Sequence, residues 1–457
     1  TAGGEKADIR VSISDMRNND IVPESGMDRT SFMVKASGRL TSRFRIETRV
    51  NYVMENVKNR PALSDSPNNV GLALIGLAPN FDQRWLSEGY TDAYGKYQDW
   101  NGGNIYRINP YWSINKMSNK SHKDRVMGYI QANYEFIDGL DLQLRAGTDF
   151  YKFRMTEYSS PYTPTAMQGE MTENNISVAE SNLEAMLRYS RKFAEKFDFS
   201  AFIGGNLMFY DQEAFTNKGT NEIIPGMQSI TNYVSQSLTY SHPRKQVRSL
   251  YGAVNFGYND LLYLDVTLRN DWSSTLAKGL NSYCYPSVSG SFVFSNLLKD
   301  HSVLSFGKVR ASWAKVGGDT DPYMLNLNYG VLDYTLNGKP LGDITSPSIP
   351  KLDLKPTRTY SWEVGADIRL FNSRLGLDAT WYSAKTEDQI MSLPISTTTG
   401  FPMATINSGC ISNKGIELSL NGVIFDRKNF FWDATVNFAR NINMVESLHP
   451  AISTYTL

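Results

Sequence analysis

Residues 362–370, WEVGADIRL, show the pattern on which the fold prediction rests. Apolar side chains such as Trp362 and Val364 alternate there with charged side chains such as Glu363 and Asp367. Successive side chains of a β-strand point to opposite faces, so this stretch is expected to form a strand with one apolar and one polar face.

The same alternation recurs along the whole chain. It is found at Phe44–Tyr52, Ile130–Phe136, Leu140–Ala146, Leu262–Arg269, Leu375–Trp381, Ile416–Ile424 and Phe430–Phe438. Period-two alternation that is repeated in this way predicts an all-β protein.

Two features favour a transmembrane antiparallel β-barrel over a soluble sandwich of two sheets. The polar face carries full charges and amides, as at Arg45, Glu47 and Gln131, and these suit a water-filled lumen. The connections also alternate between short and long, as the periplasmic turns and extracellular loops of outer-membrane barrels do. An open sheet of this size would leave edges exposed to aggregation, and closure into a barrel removes them.

The short connections define the predicted hairpins. They lie at Thr41-Ser42, Asp138-Gly139, Ala194-Glu195, Asn259-Asp260, Lys299-Asp300, Asn372-Ser373 and Arg427-Lys428. The long connections are expected at residues 57–121, 156–175, 213–243, 271–283, 318–355 and 390–409. With one further strand at residues 7–16, the prediction is about fifteen strands, an odd number that a complete bacterial barrel does not have.

Composition limits the possible functions. The 457 residues carry 46 basic and 46 acidic side chains, so no nucleic-acid partner is expected. No apolar run of about 18 residues is present that could form a transmembrane helix. The cysteines, Cys284 and Cys410, exclude a disulfide scaffold and are expected to be unpaired residues of the wall. Since no apolar leader precedes Thr1, the chain is expected to be a mature or truncated segment.

Several segments resemble the SusC/RagA family of TonB-linked outer-membrane transporters of the Bacteroidetes. They stand in the family's order at Ile21–Pro23, Phe32–Leu40, Leu268–Ser274, Tyr285–Ser289, Leu304–Trp313, Val316–Gly318, Leu354–Gly365 and Asn413–Leu418. Trp272 departs from the small residue that the family usually has at that position, so the loop that begins there follows the family less closely.

The resemblance implies that residues 1–457 are the central portion of a larger transporter barrel. The family barrel has 22 strands, so further strands, the plug domain and the TonB-binding segment are expected outside this chain. The resemblance also implies import of an oligosaccharide or oligopeptide, a SusD-like surface lipoprotein that acts as a lid, and energy supplied by TonB through the plug. The protein is then expected in the bacterial outer membrane, in contact with lipid and lipopolysaccharide.

Little in the sequence supports an enzyme. The histidines are His122, His242, His301 and His449, and none has a neighbouring serine or cysteine motif that suggests a nucleophile. A Ser, His and Asp constellation assembled by folding near the loop base would revive catalysis. Asp319 and Asp321 offer carboxylates for calcium without a full ligand pattern, so a solvated loop is preferred and no metal or cofactor is expected.

The long connection 57–121 is the best candidate for a functional site, because aromatic rings pack on the apolar faces of ligands while Asp and Asn side chains supply hydrogen bonds. The predicted substrate-binding residues are Trp85, Tyr90, Tyr94, Tyr97, Trp100, Tyr106, Tyr111 and Trp112, with Asp99 and Asn101. The alternative interpretation is that these rings fold the loop or hold the lid. Helical structure is expected around residues 81–97, which lack strand alternation.

The loop 318–355, with Tyr323, Tyr329 and Tyr334, is a second candidate surface for the lid or the substrate. The sequence thus predicts a TonB-dependent importer whose outward loops bind its ligand. A non-transporting surface barrel that uses its loops for adhesion or assembly is the alternative.

Overall fold

The computed structural model describes residues 2–298 and 302–448. The predicted turn at Lys299-Asp300 and the histidines His301 and His449 lie outside these residues. The chain forms two compact units, each made of several segments. Unit 1 comprises Thr1–Ala132, Arg145–Asn182 and Phe209–Arg244, and unit 2 comprises Asn133–Leu144, Leu183–Met208 and Lys245–Leu457.

Strands dominate the described residues. They are β1 (Ala2–Gly3), β2 (Ala7–Asn19), β3 (Gly26–Arg39), β4 (Phe44–Lys58), β5 (Met117–Ile137), β6 (Leu140–Ser159), β7 (Glu170–Phe193), β8 (Phe197–Glu222), β9 (Tyr233–Ser241), β10 (Arg244–Tyr258), β11 (Leu262–Ser273), β12 (Ser282–Phe292), β13 (Leu304–Gly318), β14 (Tyr329–Leu336), β15 (Lys339–Ile344), β16 (Ser348–Ile349), β17 (Thr357–Leu370), β18 (Leu375–Glu387), β19 (Ile390–Pro394), β20 (Met403–Asn407), β21 (Cys410–Arg427) and β22 (Phe430–Ser447). The helices are α1 (Val70–Ile75), α2 (Arg84–Glu88) and α3 (Pro110–Lys116), and single 3-10 turns lie at Ile230–Asn232, Phe294–Leu297 and Thr397–Thr399.

The long strands match the sequence prediction. Within the described residues, fifteen strands have 11 or more residues, β12 being the shortest of them. Each segment predicted from alternation lies inside one of these strands. The all-β prediction is therefore confirmed. None of the helices in the described part of the chain is long and apolar enough to cross a membrane.

In unit 1, consecutive antiparallel strands pair in chain order. β1 pairs with β2, β2 with β3, and β3 with β4, so that Phe32 stands opposite Ile13 on one side and Tyr52 on the other. The end of β8 pairs with β9 in the same unit, where Phe215 faces Tyr240. Consecutive pairing of this kind is what short hairpin turns produce.

In unit 2, the antiparallel ladder runs β10–β11–β12–β13–β17–β18–β21–β22. Strands β14 and β15 form a separate hairpin, and β16, β20 and β19 form a small three-stranded sheet. Both small sheets lie in connections that the sequence assigned to long loops. These loops therefore carry hydrogen-bonded structure of their own.

The large ladder of unit 2 has the two faces that the alternation predicts. Leu264 and Leu268 are 45% and 55% exposed on one face of β11. On the other face, the Asp265 carboxylate accepts hydrogen bonds from Asn255 and, at 3.3 Å, from Ser289. Rows of exposed apolar side chains are the lipid-facing surface of a membrane barrel, whereas a solvated sheet face is polar.

A charged network on the polar face explains why β17 has a glycine at position 365. The Arg310 guanidinium of β13 donates to both oxygens of Asp378 on β18, at 3.1 and 3.0 Å, and to Thr380 at 2.6 Å. It crosses the intervening β17 at Gly365, the register partner of Arg310. A Cβ added at Gly365 would lie 2.7 Å from Nε of Arg310, so only glycine leaves the guanidinium its path.

The turns follow the chemistry of the residues predicted for them. Asn259 and Asp260 join β10 to β11 with φ of 50° and 52°, and Leu261 N–H donates to the Tyr258 carbonyl at 2.9 Å. Asn and Asp tolerate this left-handed conformation, so they can occupy the centre of the tight turn at residues 259–261. Cys284 and Cys410 lie in β12 and β21 as free thiols, as expected.

Two expectations from the sequence need correction. Strands β6 and β7 have 20 and 24 residues and run into the predicted connection 156–175, which shortens to residues 160–169. Strand β8, with 26 residues, runs into the connection predicted at 213–243 in the same way. Helical structure within 81–97 is confined to α2, while Thr91 and Tyr97 form a β-bridge. Strands pair through main-chain hydrogen bonds, which do not require alternating side chains. The polar ends of these strands were therefore not predicted from side-chain alternation.

Candidate functional site

The connection between β4 and β5 folds as a compact loop with its own core. It contains α1, α2 and α3. Ala73 of α1, Leu86 of α2, and Ile108 and Trp112 around α3 are each at most 1% exposed. These helices are too short to be stable alone, and burial of these side chains holds them together.

Asn109 connects the parts of this loop. Its side-chain oxygen accepts from Tyr111 N–H at 2.9 Å and caps α3, whose first residue is Pro110. Its side-chain nitrogen donates to the Leu86 carbonyl at 3.1 Å, and its backbone N–H donates to the Tyr97 hydroxyl at 3.1 Å. Asn109 is fully buried, so these bonds are protected from water.

Two of the predicted binding residues lie inside the loop. The rings of Tyr97 and Trp112 meet edge to face with centroids 5.3 Å apart. The Trp112 indole N–H donates to Thr163 Oγ1 at 3.0 Å, which ties this loop to the β6–β7 connection. Burial raises the pKa of Tyr97, so its phenol stays neutral above the usual range.

Trp100, Asn101 and Asp99 also hold the loop in shape. The Trp100 indole N–H and the Asn101 amide both donate to the Arg107 carbonyl, at 3.1 and 2.8 Å. Asp99 accepts from the backbone N–H of Asn101 at 3.2 Å. These contacts fit the alternative interpretation, in which part of the aromatic set folds the loop.

The remaining predicted aromatic residues lie at the loop surface. Trp85, Tyr94 and Tyr106 are 60%, 87% and 67% exposed, Tyr111 is 37% exposed and Tyr90 is half-buried. Asp92 Oδ1 accepts from the N–H groups of Tyr94 and Lys96, at 2.9 and 2.8 Å, and so presents the Tyr94 ring at the tip of a turn.

The sequence interpretation missed Asn109 and Thr163 as organising residues. The Asn109-Pro110 pair is a signal that could have indicated Asn109, because Asn at the N-cap with Pro in the first turn marks a helix start. Thr163 had no comparable signal, since its contact with Trp112 joins two distant parts of the chain.

The second predicted surface contains the β14–β15 hairpin. Tyr329 and Tyr334 on β14 are 74% and 64% exposed, and Tyr323, which precedes the hairpin, is 47% exposed. The rings of Tyr329 and Tyr334 are therefore accessible from outside the chain.

Asp319, a carboxylate that the sequence offered for calcium, forms an ion pair. Its carboxylate accepts from Lys245 Nζ at 2.7 Å and from Ser273 Oγ at 2.6 Å, which ties the bases of three connections together in unit 2. Among the described residues, no group of three or more His, Cys, Asp or Glu side chains is placed to hold a metal ion.

The two histidines within the described residues lie beside carboxylates. Both ring nitrogens of His122 have partners, Asn56 and Asp124, each at 2.7 Å. The Nε2 atom of His242 lies 3.1 Å from Asp211. His122 therefore has no free ring nitrogen with which to activate a serine hydroxyl.

The chain matches known proteins at the level of sequence. Residues 60–456 match the family described as TonB dependent receptor-like, beta-barrel. TonB-dependent receptor P26 of Formosa agariphila is 24% identical over 98% of this chain and 45% of its own length. TonB-dependent receptor SusC of Bacteroides thetaiotaomicron is 26% identical over 98% of this chain and 46% of its own length. The chain thus spans about half the length of these relatives.

Solved structures share the fold. The RagAB peptide transporter matches with a TM-score of 0.79 at 20% identity, over 100% of this chain and 51% of that chain. The ferripyoverdine receptor of the Pseudomonas aeruginosa outer membrane matches with a TM-score of 0.61 at 12% identity, over 97% of this chain and 53% of that chain. The predicted fold class, the resemblance to SusC and RagA and the outer-membrane location are confirmed. The chain belongs to the TonB-dependent receptor-like β-barrels of the bacterial outer membrane.

Proposed function

We propose that the intact protein imports a bulky oligosaccharide or oligopeptide across the outer membrane, with energy from TonB and with a SusD-like lipoprotein as a lid. The family is one of transport receptors. A strand wall with an apolar face toward lipid and a charged face opposite it provides a route for a polar solute. The wall contributes no chemistry to this process.

The observation that carries the proposal is the folded β4–β5 loop with its exposed rings. Trp85, Tyr94 and Tyr106 stand on a loop whose shape is fixed by buried contacts. Rings that are held in place before binding lose little conformational freedom when a ligand packs on them, which favours affinity. Sugar rings and peptide side chains both offer apolar faces for such packing.

The RagAB peptide transporter among the solved structures supports the peptide class, and the resemblance of this chain to the SusC/RagA family implies both ligand classes. The lipoprotein lid rests on the resemblance to the same family. In this scheme the ligand binds at the outward loops, the lid covers it, and movement of the plug region opens the path inward.

Uptake by whole cells tests the proposal. Cells that carry the intact protein are given labelled oligosaccharides and oligopeptides, with TonB present or deleted. We expect uptake of one class to depend on TonB, and uptake that is unchanged without TonB would contradict the proposal.

Single substitutions locate the binding surface. We expect Y94A and W85A to raise the substrate concentration for half-maximal uptake about tenfold, because each removes an exposed ring worth about 1–3 kcal/mol if it packs on ligand. The matched control is Y329A, which removes an exposed ring from the second surface. If Y329A alone weakens uptake, the β14–β15 hairpin is the binding surface and the assignment to the β4–β5 loop is wrong.

A further inference from the structure

A cavity of about 830 Å³ opens in unit 1 along the ends of β2 to β6. Its lining includes Asp28 on β3, Lys58 on β4, Lys120 on β5 and Arg154 on β6. Gly26 of β3 is paired with Lys58 of β4, and because it has no side chain it leaves room in the cavity beside Lys58. The cavity lies beside the long connections, at the end of the strands that loop asymmetry assigns to the outside of the cell.

The cavity lies on the lipid-facing side of the strands. Val50 and Ile130 are 47% and 56% exposed. The sequence positions of Val50 and Lys58 in β4 differ by an even number, and so do those of Ile130 and Lys120 in β5. Residues whose positions in a strand differ by an even number point to the same face. Lys58 and Lys120 therefore lie on the same face as Val50 and Ile130, nearer to the strand ends.

An interfacial cluster marks the level at which the apolar part ends. The Tyr52 hydroxyl donates to Asp124, and His122 lies 2.7 Å from both Asp124 and Asn56. A tyrosine with its ring toward apolar side chains and its hydroxyl toward polar groups is typical of the membrane–water interface. Since Asn56 and His122 also line the cavity, the cavity lies at the depth of the lipid headgroups.

The charges in the cavity are separated along the sheet. Asp20 and Asp28 lie toward β2 and β3, whereas Lys58, Lys120 and Arg154 lie on β4, β5 and β6. Glu24 neutralises Lys58 through a direct ion pair. The basic end of the cavity is therefore the part formed by β5 and β6.

Lys120 and Arg154 have no counter-ion among the described residues. In the part of the chain that the structure describes, neither forms an ion pair or a hydrogen bond, although both lie on adjacent strands. Two neighbouring cations with no carboxylate partner, next to His122, repel one another unless an anion lies between them. At headgroup depth, the abundant anion is a lipid phosphate.

We propose that Lys120 and Arg154 bind a phosphate group of an outer-leaflet lipid headgroup in this cavity. Arg forms paired hydrogen bonds to phosphate oxygens, and Lys adds a compact positive charge. The lipid acyl chains then extend along the exposed apolar face at Val50 and Ile130. This site is separate from the route of import and does not depend on the proposed transport function.

Lipid binding by the intact protein tests the proposal. The purified protein in detergent micelles is titrated with phosphorylated lipid A, with dephosphorylated lipid A and with inorganic phosphate, and bound molecules are counted by native mass spectrometry. We expect K120Q and R154Q each to weaken binding of phosphorylated lipid A about fivefold, and the double variant about 25-fold.

The matched control is R17Q, which removes a cation from the same face on β2, where Arg17 pairs with Asp15 at 3.2 Å instead of lining the cavity. We expect R17Q to bind lipid A like the unchanged protein. Equal binding of dephosphorylated lipid A, or an equal loss in R17Q, would overturn the proposal. If inorganic phosphate displaces lipid A at similar concentrations, the site holds a soluble anion and the lipid assignment is wrong. The dephosphorylated-lipid arm uses unaltered protein, so it decides even if a variant fails to fold.

Discussion

Replacement of Asn109 by alanine is expected to open the β4–β5 loop while the strands stay intact. The change removes the cap of α3, worth about 1 kcal/mol. It also leaves the Leu86 carbonyl without its donor inside the loop, at a cost of about 1–3 kcal/mol. The backbone bond to Tyr97 is retained, because it uses the main-chain N–H of residue 109. The expected loss of local stability is therefore about 2–4 kcal/mol.

Hydrogen exchange followed by mass spectrometry measures this loss directly. A loss of 2–4 kcal/mol corresponds to about 30- to 800-fold faster exchange of amides in α2 and α3 when exchange reports the opening equilibrium. Peptides from β11 in unit 2 serve as the internal control, and their exchange should not change.

A second variant separates the two contributions of Asn109. N109S keeps an oxygen that can cap α3 but has no amide to donate to Leu86, so it should lose less stability than N109A by about 1 kcal/mol. Equal exchange in N109A and the unchanged protein would refute the role of Asn109, and equally faster exchange in β11 would show a general defect instead of a local one.

Three further predictions concern the Arg310 network of the wall, the Asp319 ion pair, and the stability of the β4–β5 loop at alkaline pH. G365A should push the Arg310 guanidinium off Asp378 and lower the free energy of unfolding in urea by about 1 kcal/mol. R310M should lower it by a similar amount, and the double variant by no more than either single variant, because both changes break the same contact. D319N should leave the Lys245 ammonium without its counter-charge and cost about 2 kcal/mol, seen as faster proteolysis of the 274–281 connection. Added calcium should not slow this proteolysis in the unchanged protein, and protection by calcium would reinstate a metal site. Because burial raises the pKa of Tyr97, its contribution to loop stability is fully present below the ordinary tyrosine pKa and is lost as pH rises through the folded value. Y97F should therefore remove an alkaline step in loop exchange, and an identical pH profile in both proteins would contradict this.

The strands could be predicted from the sequence because alternation is a local property. In residues 362–370 and 262–269 each side chain reports its own face, and the structure has both segments in long strands with those faces. Turn chemistry is local too, so Asn259-Asp260 marked its hairpin correctly. The apolar face then had to contact something apolar, and its exposure along the strands leaves lipid as that contact.

The candidate site could be located by composition but not resolved into roles. Trp112 and Tyr94 belong to the same aromatic stretch, yet one is 1% exposed and the other 87% exposed. Nothing in their immediate neighbours distinguishes them, because Trp112 is buried through Tyr97 and Thr163.

The secondary structure of the wall, its two faces and the position of its longest loop could be predicted from the sequence, since each depends on residues close together in the chain. Which rings hold the loop and which lie at its surface follows only from the folded chain, as does the ion pair between Asp319 and Lys245. The tertiary structure also decided that Lys120 and Arg154 meet in one cavity. The physical reason is that burial and charge pairing depend on neighbours in space, which strand pairing brings together from distant parts of the chain.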